Sequence, residues 1–267
     1  YEERQVALAR VLFAAVTGQL LGSVGSGLIG ERFGWRASFL VAFVISVVAA
    51  VAAFFALKPR EGAARKPLRL STAIEGYRQV FANPLAVVCY STVFAEGILI
   101  YGIFPHLAGI FEGRHVGGVR EAGFTVGAFG LGGIVMTLTV RRMLRTFGQF
   151  TMMRIGGLMA GAALVVVALT LSWQATVAAF VFLGLGFYMI HNSLQTQATE
   201  LAPAARGSAV SLHAFFFFVG IALGPPLIGL GLHTVGDRAT ILIEAAGAAL
   251  LGIVSTYFLK ARGPARR

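Results

Sequence analysis

The chain has 267 residues, 57% of them hydrophobic and 12% charged, with a formal net charge of +11 and a mean hydropathy of +0.80. That balance excludes an ordinary water-soluble globular domain and fits an all-α polytopic membrane protein. The one cysteine, Cys89, excludes internal disulfides and cysteine metal sites.

A transmembrane helix needs about 20 predominantly apolar residues. Eight segments meet that requirement, at 7–30, 38–57, 85–108, 121–140, 152–171, 174–197, 208–232 and 239–259. None alternates apolar and polar residues strictly, so a transmembrane barrel is excluded. The first segment carries Gly18, Gly22, Gly25 and Gly27, and the seventh carries Gly220, Gly224 and Pro225. Glycines at such spacing give a flat face against which another helix can pack. Between the second and third segments lies the longest polar stretch, 58–84. Its first part, Lys58 to Pro67, reads as a flexible linker. Its second part spaces Leu70, Ile74, Tyr77 and Phe81 helically, with Glu75, Arg78 and Gln79 between them, which predicts a short amphipathic helix at the membrane surface.

Ionisable residues inside spans are costly and usually functional. Glu96 falls near the middle of the third segment, about 18 Å of helix rise from Pro84. Burial there disfavours the ionised carboxyl, so Glu96 can take up and release a proton; the alternative is a protonated acid bonded to a neighbouring backbone. Glu244 lies closer to the other end of its span, where it can reach water, pair with Arg238 or act as a further proton-coupling group. Tyr188, His191, Asn192 and Gln195 recur at i, i+3, i+4 and i+7 and share one face of the 174–197 helix. His191 changes charge near neutral pH, and the phenol and amides can orient a substrate; interhelical hydrogen bonding is the alternative use of this face. His213 is placed near the cytoplasmic end of its span, and His106 near the periplasmic end of the Glu96 segment, where it is open to solvent. The four consecutive phenylalanines at 215–218 cannot all line one cavity. No P-loop, HExxH, GxSxG or metal-ligand spacing is present, so the sequence calls for no cofactor, no metal and no enzymatic activity.

The first sixty residues repeat the last sixty at an offset of 202: Gly18, Gly22, Gly27, Gly34 and Arg36 fall on Gly220, Gly224, Gly229, Gly236 and Arg238. A repeat of that period, with eight spans, predicts the last two helices of one six-helix unit (1–57), a cytoplasmic linker (58–84), a complete second unit (85–260) and a tail (261–267). It also predicts about 120 residues of the first unit upstream. Numbering the connections alternately puts 17 of the 22 lysines and arginines on one side and 5 on the other. The positive-inside rule then makes both ends of the chain and the 58–84 segment cytoplasmic. The net charge is therefore topology signal plus attraction to anionic lipid, not a nucleic-acid footprint.

Two six-helix units in parallel orientation joined by a cytoplasmic linker resemble the major facilitator superfamily of secondary transporters, whose two halves are parallel repeats. Gly18-Gln-Leu-Leu-Gly22-Ser23-Val-Gly25-Ser-Gly27 is similar to the glycine-rich fifth-helix motif GxxxGPxxGG of the superfamily's antiporters, with Ser23 at the proline; the second unit has Gly224-Pro225 there. Arg141-Arg142-Met-Leu-Arg145-Thr-Phe-Gly148 resembles a degenerate copy of the GxLaDRxGRR loop, without its acid. The resemblance implies a multi-pass protein of the plasma membrane, in bacteria the inner membrane. Its implied partners are a small-molecule substrate, protons, the bilayer and the upstream helices of the same protein. The implied activity is proton-coupled export of small or drug-like molecules by alternating access; import or facilitated passage of a sugar, organic acid or other metabolite, and a non-transporting scaffold or receptor on the same fold, are the alternatives.

Overall fold

The computed structural model describes residues 2–56 and 70–261, with the side chains of 2–16, 70, 72, 73 and 261 outside the description. The described residues hold no strand. The helices are α1 (Glu2–Phe33), α2 (Trp35–Ala56), α3 (Leu70–Phe81), α4 (Leu85–Tyr101), α5 (Leu107–Gly113), α6 (Val119–Phe147), α7 (Gln149–Leu169), α8 (Trp173–Leu201), α9 (Arg206–Thr234) and α10 (Asp237–Ala261), with 3-10 turns at Phe104–His106 and Pro203–Ala205. Seven helical stretches among these residues are long and apolar enough to cross a membrane. They match seven of the expected spans; the remaining one, 7–30, falls in α1 and begins among residues whose side chains are not described. The chain is a multi-pass helical membrane protein.

The third span is not one straight helix. Pro105 has no N–H to donate and its ring clashes with the carbonyl one turn back, so α4 ends at Tyr101 and the chain resumes as the 3-10 turn and α5. The amphipathic stretch forms α3, but among its described side chains only Gly76 and Val80 are buried, Gly76 against the start of α9; Ile74, Tyr77 and Phe81 stay exposed. Its linker, residues 57–69, lies outside the described residues.

The turn between α1 and α2 is made by Gly34 at φ +80°, and the turn between α9 and α10 by Gly236 at φ +84°. A side chain at either position would be strained, because left-handed backbone crowds Cβ against the next carbonyl. These two glycines are repeat partners in the 202-residue register. The helix boundaries on either side agree to within three residues. The one-residue connection between α6 and α7 uses the same device, Gly148 at φ +72°, directly after the arginine-rich stretch.

Helices α4, α6, α7, α8, α9 and α10 pack around a core of Ile100, Leu107, Phe129, Leu164, Phe180, Leu183 and Ile241. Close crossing is achieved with glycine, as expected where lipid gives no hydrophobic drive and backbone approach supplies the contact. The crossing of α6 and α8 is the tightest: a Cβ on Gly184 would land on the Phe129 carbonyl. Because the atom struck is backbone, no rotamer change relieves the clash. Gly184→Val is expected to cost about 3 kcal/mol or more, at the upper end of the overpacking range, and to lower the yield of monodisperse protein several-fold on size exclusion. Wild-type yield and melting temperature in that variant would show that the two backbones can part cheaply.

Candidate functional site

Glu96 on α4, His191 on α8 and His213 on α9 converge where these three helices meet. Glu96 is fully buried, and its Oε2 lies 2.8 Å from His191 Nδ1. In that bond either the Nδ1–H of His191 donates to an ionised Glu96, or the hydroxyl of a protonated Glu96 donates to the bare nitrogen. The two forms differ by where one proton sits, which is the chemistry a proton-binding pair requires. The backbone-bonded alternative for Glu96 gives way to this side-chain partner. The second carboxyl oxygen, Oε1, is buried without a partner. His191 itself is partly open, with 15% of its side chain exposed, so the pair runs from a sealed carboxyl to an accessible imidazole.

Rings hold the imidazole in place. Phe187 stacks on His191 at 4.9 Å and Phe217 lies at 4.5 Å, while Tyr101 touches Phe104, Phe129, Phe187 and Phe217 at 4.8–5.6 Å. The aromatic run divides as helix geometry requires: Phe217 turns to the histidine, Phe216 stacks on Tyr90, and Phe215 and Phe218 are exposed. Tyr188 lies against Phe187 and Phe129 on the same side, half-buried, with Asn192 beside it and Gln195 exposed.

His213 lies seven residues from the start of α9, near the end of the span as expected, and it is buried there: it is 1% exposed, its ring meets His191 edge-on at 4.9 Å, and its Nε2 is buried without a partner. Two expectations change. His106 is not free in solvent but lies 2.9 Å from the Pro225 carbonyl. Glu244 neither reaches water nor pairs with Arg238. It is 1% exposed with both carboxyl oxygens unpartnered, and Asp237 takes the nearby cation, Arg114, instead. Glu244 is not part of the Glu96–His191 bond.

The glycines separate as well. Gly220 and Gly224 lie against α4, where Cβ atoms would meet the Phe94 carbonyl and the Gly102 Cα. Of the four motif glycines on α1, Gly27 alone meets another helix, a Cβ there falling 3.0 Å from the Gly123 Cα of α6; Gly18, Gly22 and Gly25 have nothing within 4 Å. Among the described residues no group of three histidine, cysteine or acidic side chains could hold a metal ion.

The sequence pattern of the Major Facilitator Superfamily matches residues 2–225. The chain belongs to the major facilitator superfamily. Its relatives include a probable sugar efflux transporter of Pasteurella multocida, 25% identical over 95% of this chain and 61% of its own length. An MFS-type efflux pump of Mycolicibacterium smegmatis is 25% identical over 98% of this chain and 64% of its own length. An uncharacterised transporter of Sinorhizobium fredii is 24% identical over 60% of this chain and 46% of its own length. The chain thus spans about half to two thirds of the relatives it matches.

Proposed function

We propose that this chain is part of a proton-coupled secondary transporter that exports small amphipathic or drug-like molecules. The observation that carries the reading is the Glu96–His191 hydrogen bond in the interior of apolar spans. A carboxyl and an imidazole at bonding distance share one proton, and a sealed acid cannot exchange it directly with water. His191, being partly open, is the port. Loading the pair on one side of the membrane and unloading it on the other couples proton entry to the exit of a substrate held against the Tyr101, Tyr188 and Asn192 wall. The names of the relatives, an efflux pump and a sugar efflux transporter, favour export over import.

The unit organisation is part of the same proposal. Gly34 and Gly236, at φ +80° and +84°, support α1–α2 as the counterpart of α9–α10, and so as the end of a first six-helix unit. In the second unit Gly220 and Gly224 seat α9 on α4. By the repeat, Gly18 and Gly22 seat α1 on a helix equivalent to α4, which lies upstream of residue 1. The charge asymmetry of 17 against 5 supports cytoplasmic placement of the 58–84 segment in a bacterial inner membrane.

Reconstituting the full-length protein tests the reading. Liposomes loaded with a nitrophenyl glycoside or with ethidium should lose one of these probes faster when a proton gradient is imposed, by tenfold or more over empty-gradient controls. Equal rates with and without the gradient, for both probes, would count against proton coupling. In a Cys89→Ser background, Arg65→Cys should react with an impermeant maleimide only in inverted vesicles; labelling in whole cells would overturn the orientation.

A further inference from the structure

The mechanism proposed above leaves one buried titratable group of the cluster unused. His213 is 1% exposed and its Nε2 has no hydrogen-bond partner. Leaving a buried polar atom unpaired costs about 1–3 kcal/mol, so an apolar side chain would serve packing better at this position. The ring edge lies against His191, with centroids 4.9 Å apart and planes at 66°, while His191 Nδ1 is already committed to Glu96.

The three groups also descend through the membrane in order. Glu96 lies eleven residues from Leu85, His191 ten residues from Leu201 and His213 seven residues from Arg206, all counted from the same end of the bundle. At the helical rise these are depths of about 16, 15 and 10 Å. His213 is therefore the shallowest member, on the side assigned to the cytoplasm.

We propose that His213 is a second proton-binding site, which receives the proton that the Glu96–His191 pair gives up and passes it toward the Arg206 end of α9. The step balances without a co-reactant: the His191 imidazolium loses one proton and becomes neutral, and His213 gains it and becomes the imidazolium. Two adjacent imidazoliums repel, so His213 fills as His191 empties and one proton occupies the two rings at a time. Arg206 and His233 lie on α9 itself. The elements packed against α9 carry Cys89, Tyr90, Glu96 and Tyr101 on α4, Tyr188, His191 and Glu200 on α8, Glu75, Tyr77 and Arg78 on α3, His106 in the 3-10 turn, and Asp237, Arg238, Glu244, Tyr257 and Lys260 on α10. Cys89 donates to the Leu194 carbonyl, Tyr90 to the Ala209 carbonyl, and His106 lies on the Pro225 carbonyl, whereas the His191 ring is in direct contact with His213.

The proposal rests on the proton-coupled reading of Glu96 and His191, and two measurements keep the failures apart. In the purified full-length protein with ¹⁵N-labelled histidine, the His213 ring nitrogens should shift on acidification at a midpoint separate from that of His191, and His213→Gln should displace the His191 midpoint. In liposomes, His213→Leu and His213→Gln should fold at least as well as wild type and lower gradient-driven exit of the transported probe tenfold or more. Substrate-for-substrate exchange should persist in both variants. A His213 signal that stays neutral while the protein remains folded would overturn the assignment, as would normal driven exit in the variants. Loss of folding in both variants would mark the imidazole as structural and overturn it too. If wild type itself ignores the gradient, the coupling reading fails first; if Glu96→Gln abolishes driven exit and His213→Gln does not, only the second site fails.

Discussion

Glu96→Gln in the full-length protein is expected to abolish gradient-driven transport, with a loss of tenfold or more, while substrate-for-substrate exchange continues. Glutamine keeps the size of the neutral acid and can still bond to His191 Nδ1, 2.8 Å away in the wild-type protein, so the helices have no reason to part. What it cannot do is release a proton. A purely structural, permanently protonated Glu96 would tolerate the change, because glutamine mimics that state closely. Measuring driven and exchange fluxes beside protein abundance separates the two. Near-normal driven transport would remove Glu96 from the coupling and leave His191 as the next group to replace.

Arg114→Leu is expected to destabilise the fold more than any other single charge change. The guanidinium is 8% exposed at the far end of the bundle, after α5, and every arm is engaged. Its Nε donates to Asp237 Oδ2 at 2.6 Å, at the start of α10. Its Nη1 donates to the Val167 and Thr170 carbonyls at 2.7 and 3.1 Å, and Nη2 to the Ala168 carbonyl at 3.3 Å, at the end of α7. One cation thus caps the last turn of α7, where it also opposes the helix dipole, and ties three spans together. Leucine would leave Asp237 without its cation and the α7 carbonyls without donors. Breaking a buried ion pair costs about 3 kcal/mol or more, and with Asp237 37% exposed the loss here is on the order of 2 kcal/mol. The expected result is a melting temperature lowered by several degrees in detergent and a reduced yield; restoring neutrality with Asp237→Asn should recover part of the loss. An unchanged melting temperature would show that water replaces the arginine without cost.

Much of this architecture was legible before any coordinates, because membrane spans announce themselves by length and hydropathy. The 202-residue register pairs Gly34 with Gly236, and both take the left-handed turn that glycine adopts without strain. The amphipathic spacing of Leu70, Ile74, Tyr77 and Phe81 marked α3 to the residue. Pro105 carried a usable signal for the break after Tyr101 that hydropathy alone passes over. Glu96 and His191 were each legible as single intramembrane ionisable residues, but not as partners, since they are 95 positions apart and one sequence carries no distance between helices. The same ignorance hid the buried setting of His213 against His191. Arg114 looked like one more topology charge, because nothing in the sequence tells an arginine that meets headgroups from one that caps a neighbouring helix. Glu244 was misplaced for a related reason: nearness to a span's end suggests water, whereas packing closes over it.

Infrared titration of the purified full-length protein addresses the central claim without requiring a known substrate. A carboxyl that binds and releases the coupling proton produces a protonated C=O band that grows on acidification and disappears on alkalinisation. Subtracting the spectrum of Glu96→Gln isolates the contribution of that one group from Glu244 and the surface acids. The account predicts a reversible difference band with a midpoint within the range of pH in which the protein is folded, displaced when His191 is replaced by glutamine. A difference spectrum that stays constant across that range, or that is indifferent to His191, would contradict the assignment of Glu96 and His191 as the proton-binding pair.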